Sequence, residues 1–264
     1  MAEEVLHHVA GGVARVTINR PERRNALAPS TVAALRAAVA RAGADPSTRV
    51  VVLTGAGDRA FSAGADLTGL PAAAAEGLPA ELAGLFGDLW ALGQPTVARV
   101  RGYALAGGFG LALACDLVVA ADDAVFGAPE IDRGLWPFVA SVPLARSMPP
   151  KTALELMMTG RRVGAAEAAR IGFVNRVVPS AELDRAVDEL AAVLAAKPPG
   201  AMRLGRTSFH ETWGLGPGPA LARLHPLLAA ALASEEAREG AAAFAEGRPP
   251  RWAGPQGDAG AVRG

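Results

Sequence analysis

The sequence has very little cysteine and no excess of charge of either sign. Cys115 is the single cysteine in 264 residues, which excludes an internal disulfide framework and a zinc site built from cysteines. The 26 Lys and Arg residues balance the 26 Asp and Glu residues, so the chain lacks the net charge that holds nucleic acid or an anionic membrane. We therefore expect neither nucleic acid nor a membrane as a partner.

Long hydrophobic runs are also missing. Glycine, proline or a charged residue interrupts every apolar stretch before it reaches the roughly 20 residues that a membrane helix needs. The first residues, MAEE, lack the basic and apolar regions of a secretory signal. With 51% hydrophobic and 20% charged residues, the composition is typical of a globular protein with a substantial core. We expect a cytoplasmic protein.

The first half of the sequence alternates strand and helix patterns. Apolar and β-branched runs predict strands over residues 5–9, 13–18, 49–54, 96–100 and 117–121. Helical apolar spacing predicts helices over residues 30–44, 79–92 and 107–114. Because strands joined through helices pair in parallel, we expect an α/β fold with a largely parallel sheet.

The second half is rich in alanine and mostly helical. Helices are predicted over residues 151–158, 165–171, 181–196, 200–210 and 219–246, with one short strand near 175–178. We predict a core unit over 1–195, a helical region over 196–250, and a disordered tail over 251–264 that is rich in proline and glycine. Helices of this kind often cover their apolar faces with a partner subunit.

The segment AFSAGADL (residues 60–67) follows a predicted strand. Its small residues at positions 62–65 allow a ligand to approach the backbone closely. Asp66 is a predicted helix N-cap, which would leave the Ala65 amide near a helix N-terminus and able to donate to an anion. The alternative is an ordinary turn filled by small residues, and the segment taken alone favours that alternative.

The segment GYALAGGFGLAL (residues 102–113) follows the next predicted strand. Gly107 and Gly108 stand where a helix would begin, so a second set of amides would point out of the sheet edge at which α/β proteins bind ligands. A dinucleotide-binding loop fits poorly, since Leu113 stands where the third glycine would be. A glycine cluster that serves only packing is the other alternative.

The segment FGAPEIDRG (residues 126–134) follows a third strand and precedes the apolar run LWPF. Glu130 would have its pKa raised in such apolar surroundings, which suits proton transfer near neutral pH. The alternative, favoured when the segment is taken alone, is that Glu130 caps a helix or pairs with Arg133.

The remaining reactive side chains give weaker signals. The four histidines show neither HExxH spacing nor an obvious cluster, so we expect no metal site. Cys115 follows an apolar helix and is predicted to be a buried core residue.

Taken together, these segments resemble the crotonase superfamily, the enoyl-CoA hydratase/isomerase family. The family's CoA-contacting loop is similar to NRPERRNAL (residues 19–27). Its oxyanion segments are similar to VVVLTGAGDRAFSAGADL and GYALAGGFGLALACDLVVAADDAVFGAPEIDRGL, and its downstream signature to TGRRVGAAEAARIGFVNRVVP. The resemblance covers residues 3 to 250. It implies a spiral of ββα turns with a helical C-terminal trimerisation region, assembled as a homotrimer or a dimer of trimers.

The resemblance also implies roles for individual residues. The amides of Ala65 and Gly107 would form an oxyanion hole for a thioester carbonyl, and Glu130 would be one of the two catalytic carboxylates of the hydratases. The residues that would border the CoA thioester are Arg24, Ala26, Ala63, Ala65, Asp66 and Leu67. Coenzyme A is then part of the substrate, so no separate cofactor is expected.

Two departures from the family pattern bear on the reaction. Gly110 stands where hydratases carry the second acidic residue, and LWPFVASVPLARSM (residues 135–148) replaces a glycine-rich stretch, which makes Trp136 a bulky pocket wall. Glu130 alone suits double-bond isomerisation, in which one carboxyl moves a proton between the α and γ carbons. Hydration of a 2-enoyl-CoA by Glu130 alone, other CoA-thioester chemistry, and a non-catalytic CoA-ester-binding protein stay open. Asp132 replaces the missing acid only if its segment is extended.

Overall fold

The computed structural model describes residues 3–66 and 72–252, and in that part of the chain ten strands form two sheets. The strands are β1 (Val5–Ala10), β2 (Val13–Ile18), β3 (Val50–Gly55), β4 (Ala60–Ser62), β5 (Thr96–Val100), β6 (Tyr103–Leu105), β7 (Leu117–Ala121), β8 (Val125–Gly127), β9 (Arg162–Gly164) and β10 (Arg176–Val178). The α-helices are α1 (Pro29–Ala44), α2 (Ala72–Ala91), α3 (Gly107–Ala114), α4 (Phe138–Ser147), α5 (Pro150–Thr159), α6 (Ala165–Ile171), α7 (Leu183–Ala195), α8 (Pro199–Thr212), α9 (Pro217–Leu232) and α10 (Glu235–Glu246).

The larger sheet has the order β1-β2-β3-β5-β7-β10, and only β1 pairs antiparallel. This confirms the predicted parallel sheet. Every residue of β3 is buried, as its β-branched composition predicts. Val51 and Leu53 belong to the main core, whereas Val50 and Val52 pack with α7 on the opposite face of the sheet.

The smaller sheet has the order β4-β6-β8-β9 and consists of three-residue strands. Strands β4, β6 and β8 are parallel neighbours. Each follows a strand of the larger sheet and precedes a helix, so the units β3-β4-α2, β5-β6-α3 and β7-β8-α4 are three ββα turns. Strands of this length are too short for an alternating apolar pattern, which is why the sequence did not predict them.

Several predicted helix boundaries are wrong. Helix α2 begins at Ala72, ahead of the predicted residue 79, and contains Pro79. Helix α4 was not predicted at all. The single helix predicted over 219–246 is two helices, because Ser234 accepts a hydrogen bond from the amide of Ala237 and caps α10.

The last three helices leave much apolar surface exposed in one copy of the chain. No residue of α9 is buried, and the exposed apolar side chains of α9 and α10 are Leu221, Leu228, Leu232 and Phe244. None of the helices in the described ranges combines the length and apolarity needed to traverse a bilayer. Of the tail predicted to be disordered, Trp252 is described, and its Nε1 donates to the carbonyl of Ala196 at 2.9 Å. Residues 253–264 lie outside the described residues, and the unit boundary at 195/196 stays a prediction.

Candidate active site

Three predicted functional groups lie just beyond three neighbouring strand ends. Ala65 follows β4, Gly107 follows β6, and Glu130 follows β8. Since these strands are parallel and adjacent, their carboxyl ends meet at one edge of the smaller sheet. The chain after β6 is also tied to β8, because the Ala106 amide donates to the carbonyl of Gly127 at 2.8 Å. The fold therefore brings the three segments together.

The Ala65 amide is left free by the way its segment pairs. Leu27 donates to the carbonyl of Gly64 at 2.8 Å and accepts from the amide of Asp66 at 3.0 Å. In an extended segment successive amides face opposite sides, so the N–H of Ala65 points away from Leu27. Within residues 3–66 and 72–252 it donates to no protein acceptor.

The Gly107 amide opens helix α3, where first-turn amides have no partner within the helix. It donates to no acceptor among the described residues. The preceding residue, Ala106, has φ +54°, a conformation that costs a residue with a side chain about 1–3 kcal/mol and is typical of functional turns. A Cβ atom on Gly107 would lie 3.9 Å from the Ala65 nitrogen, and one on Gly64 would lie 3.2 Å from the Gly107 nitrogen. The two free amides are therefore close neighbours.

Glu130 is a half-buried carboxyl that lacks a full set of partners. It lies in the 3-10 helix Pro129–Arg133, and its Oε2 is buried without a hydrogen-bond partner in the described part of the chain. Burial raises the pKa of Glu130 above its usual range, against the smaller opposing effects of its own backbone amide and of Arg133. Among the residues that the structure describes, Glu130 forms no salt bridge with Arg133, which was the alternative. This direction agrees with the effect expected from the apolar run that follows Glu130 in the sequence.

No second acidic group occupies the place that the family pattern assigns to it. Gly110 is buried in α3, where an added Cβ would lie 2.9 Å from the Cβ of Ala140 and 3.0 Å from the ring of Phe86. There is no room for a longer acidic side chain. Asp132 lies in a tight turn, not an extended segment, and its carboxylate packs 2.9 Å from where a Cβ of Gly160 would be. Asp132 is exposed, and its carboxylate lies against the end of α5.

An open cleft of about 660 Å³ collects most of the predicted CoA-contacting residues. Its lining residues are Glu22, Arg23, Arg24, Ala26, Ala63, Ala65, Asp66 and Arg133. Leu67, which the resemblance also assigns to this contact, lies outside the described residues. Trp136 does not line the cleft; it is half-buried and packs against the main core.

Asn25 holds the first loop of the cleft and was missed by the sequence reasoning. It is fully buried at φ +54°, and its Nδ2 donates to the carbonyls of Ala56 and Ala60 at 2.9 and 2.7 Å. Its Oδ1 accepts from the amide of Arg20 at 3.0 Å. Asparagine tolerates a left-handed backbone better than most residues, which was the signal available in the sequence.

Asp66 is held by an ion pair with Arg20, which the sequence reasoning also missed. Their nearest atoms are 3.1 Å apart, and Arg20 further donates to the carbonyl of Ala26 at 2.6 Å. The predicted N-cap role of Asp66 stays a prediction, because residues 67–71 lie outside the described residues.

The cleft carries an excess of positive charge. Arg23, Arg24 and Arg133 form no ion pair with any described residue. A neighbouring depression of about 260 Å³ adds Arg59 and Arg162 beside Arg24. Unpaired guanidinium groups at one surface favour a ligand with phosphate or carboxylate groups. In residues 3–66 and 72–252 no three His, Cys, Asp or Glu side chains cluster as a metal ion would require.

Comparison with known families decides the fold and the family. A sequence profile described as enoyl-CoA hydratase/isomerase matches residues 8–255. The chain belongs to the enoyl-CoA hydratase/isomerase family. It is therefore an enzyme of this family, and its ββα turns form the crotonase fold.

Individual members of the enoyl-CoA hydratase/isomerase family match over nearly the whole chain. A Thermus thermophilus protein assigned as an enoyl-CoA hydratase is 41% identical, over 92% of this chain and 98% of its own. A carnitinyl-CoA dehydratase of Escherichia coli K12 is 39% identical, over 95% of this chain and 99% of its own. The crystal structure of an enoyl-CoA hydratase from Mycobacterium smegmatis matches with a TM-score of 0.91 and 35% identity, over 95% and 99% of the two chains.

Proposed function

We propose that this enzyme acts on an acyl-CoA thioester, whose enolate is stabilised by the amides of Ala65 and Gly107 while Glu130 transfers the proton. The observation that carries the proposal is a pair of neighbouring amides that have no acceptor among residues 3–66 and 72–252. They lie at the strand edge that also carries the buried, incompletely bonded carboxyl of Glu130. A well-placed donor to a developing oxyanion contributes about 3–4 kcal/mol of transition-state stabilisation.

The arginine-lined cleft supports the choice of coenzyme A as carrier. Arg23, Arg24 and Arg133 offer guanidinium groups to phosphates, and Ala26 and Ala63 let the carrier lie against the backbone. Ala65 belongs both to this cleft and to the pair of free amides. A thioester held in the cleft would thus place its carbonyl beside those amides.

The reaction that fits these residues best is the isomerisation of a 3-enoyl-CoA to a 2-enoyl-CoA. The Glu130 carboxylate removes a proton from the α carbon, and the electron pair moves into the thioester carbonyl, whose oxygen accepts hydrogen bonds from both amides. The enolate then re-forms the carbonyl while the double bond moves to the α,β position. Glu130 returns the proton to the γ carbon. One carboxyl suffices, in agreement with the filled space around Gly110.

Hydration of a 2-enoyl-CoA is the second candidate. The names of the relatives favour it, since one is assigned as an enoyl-CoA hydratase and another is a carnitinyl-CoA dehydratase. Glu130 would then have to activate water and supply the α proton without a second carboxyl, which predicts a slower reaction.

A pair of matched substrates separates the candidates. We would incubate the enzyme with 3-hexenoyl-CoA and with 2-hexenoyl-CoA and identify the products by mass spectrometry and chromatography. Isomerisation predicts 2-hexenoyl-CoA from the first substrate and little 3-hydroxyhexanoyl-CoA from the second. Rapid formation of the hydroxyacyl product would favour hydration. Binding of CoA esters without any turnover would identify a non-catalytic binding protein.

We further propose that the enzyme is a homotrimer or a dimer of trimers. The exposed leucines of α9 support this assembly, because a large apolar face is normally covered. Light scattering after size exclusion should give a multiple of three times 26.8 kDa. Leu228→Asp should lower that mass, and a monomeric unmodified chain would contradict the assembly.

A further inference from the structure

A second cavity, of about 440 Å³, lies at the opposite end of helix α3 from the Gly107 amide. Cys115, which ends that helix, lines the cavity, and the other walls include residues of α2, α4, α7, α8 and β7. None of the residues that line the arginine-rich cleft lines this cavity. It is therefore a separate candidate site.

Arg146 is the charged group of this cavity that has no counterion among the described residues. Its guanidinium carbon lies 5.2 Å from the centre of the Trp90 ring and 5.6 Å from that of Trp213. It forms no ion pair or hydrogen bond with any described residue. Burial lowers the pKa of Arg146, as expected for a cation that has lost water without gaining a carboxylate. The two indoles lie within cation–π distance of the guanidinium, whose N–H groups donate to no acceptor among the described residues.

The carboxylate in the cavity wall is already neutralised. Asp116 accepts from Nε of Arg206 at 2.6 Å and from the amide of Thr96 at 2.7 Å, and it lies 2.9 Å from Nε2 of His210. Burial alone would raise the pKa of Asp116, but the bonds with His210, Arg206 and Thr96 together hold that pKa below its usual range. Asp116 therefore cannot serve as the counterion of Arg146, and the cavity keeps a positive charge.

The rest of the wall is apolar and aromatic. The His210 ring stacks on Trp90 with centres 6.4 Å apart, and Phe209 lies beside it. The Nδ1 of His210 is buried without a partner in the described part of the chain, although buried polar atoms usually have one. A flat or aliphatic group would bury apolar surface here, next to the N–H edges of Arg146.

We propose that this cavity binds a small carboxylate with an apolar body. The guanidinium edge of Arg146 receives the carboxylate as a two-point hydrogen-bonded pair, and the rings of Trp90, Phe209 and Trp213 surround the body. The site is independent of the CoA cleft.

Calorimetry with 3-phenylpropanoate and its uncharged analogue 3-phenylpropanamide tests the proposal. The acid should bind about tenfold or more tightly than the amide, a difference of about 1.4 kcal/mol or more. Arg146→Gln should abolish this preference and leave the affinity for the amide unchanged. Arg146→Lys keeps the charge but not the planar stacked group, so it should retain part of the preference. Arg185→Gln, on the exposed face of α7, is the matched control and should change neither affinity.

Five outcomes would overturn the proposal. Equal affinities for acid and amide in the unmodified enzyme would exclude a role of charge. An equal effect of Arg185→Gln would show a nonspecific electrostatic change. Displacement of the acid by saturating coenzyme A would place it in the other cleft. A fall in assembly mass on Arg146→Gln, with unchanged affinity for the acid, would assign Arg146 to an acidic side chain of a second copy. A misfolded Arg146→Gln leaves the Lys variant, for which an unchanged preference would also count against the site.

Discussion

The two sheets of this enzyme contribute differently: the larger one to the core, and the smaller one to the candidate active site. In the larger sheet, strands β3, β5 and β7 have side chains buried on both faces, and the sheet forms the core with helices on either side. The smaller sheet consists of three-residue strands, yet Ala65, Gly107 and Glu130 stand at the ends of three of them. Each ββα turn thus provides one strand that stabilises the core and one short strand that positions a residue of the candidate active site. Substitutions in the two sheets should therefore separate loss of activity from loss of stability.

The largest effect should come from Glu130→Gln, at the end of the smaller sheet. We expect kcat to fall about 10²- to 10⁴-fold, because glutamine cannot accept the α proton. The melting temperature should stay equal or rise, since the change removes a buried carboxyl with an unpartnered oxygen. Glu182→Gln, exposed on a distant 3-10 helix, is the control. Nearly full turnover by Glu130→Gln would remove Glu130 from the mechanism.

The converse result is expected from Leu53→Ala in the larger sheet. Leu53 is 2% exposed, so truncation should lower the free energy of unfolding by about 2–5 kcal/mol, as measured by urea denaturation. The variant that remains folded should keep its KM. Leu6→Ala on the edge strand β1, where the side chain is 42% exposed, should cost far less. A large loss of kcat in folded Leu53→Ala would break the division between the sheets.

A smaller effect on stability should follow Gly110→Ala. The new methyl group would lie 2.9 Å from the Cβ of Ala140 and 3.0 Å from the ring of Phe86, which is closer than van der Waals contact. Such overpacking costs about 1–3 kcal/mol of stability. Gly87→Ala in α2 is the matched control, because a Cβ there meets nothing within 4 Å and alanine favours the helix by about 0.5–1 kcal/mol. Equal stabilisation of both variants would show that the space beside Gly110 is open to a second carboxyl.

The smallest expected effect is a displaced pH profile. Burial raises the pKa of Glu130, and only its carboxylate form can accept the proton. The acid limb of kcat/KM should therefore have an apparent pKa above the roughly 4.3 of a free glutamate. Because the folded-state pKa lies above the unfolded one, the related stabilisation is present at low pH and is lost as the pH rises through the folded-state value. Glu130→Gln should lack this stability change. An acid limb at the ordinary glutamate value would contradict the desolvated site.

The same division explains what the sequence could predict. The run RVVVLT is long enough to specify β3, and the small residues at 62–65 and the paired glycines at 107 and 108 indicate free amides at turns. Strands β4, β6 and β8 have three residues each, which is too short for the alternating apolar pattern that predicts a strand. The ion pair of Arg20 with Asp66 and the bonds of Asn25 join residues far apart in the chain, so only the folded structure reveals them. The filled space at Gly110 likewise depends on Ala140, which belongs to an unpredicted helix.

The buried amide group of Asn25 also limits which side chain can replace it. Its nitrogen donates to two carbonyl oxygens, so the substitution Asn25→Asp would turn two attractions into repulsions inside the protein. The neighbouring Arg24 and Ala26, which line the cleft, would lose their anchor. Asn25→Asp should therefore weaken the binding of a coenzyme A ester in the cleft, even in molecules that still fold.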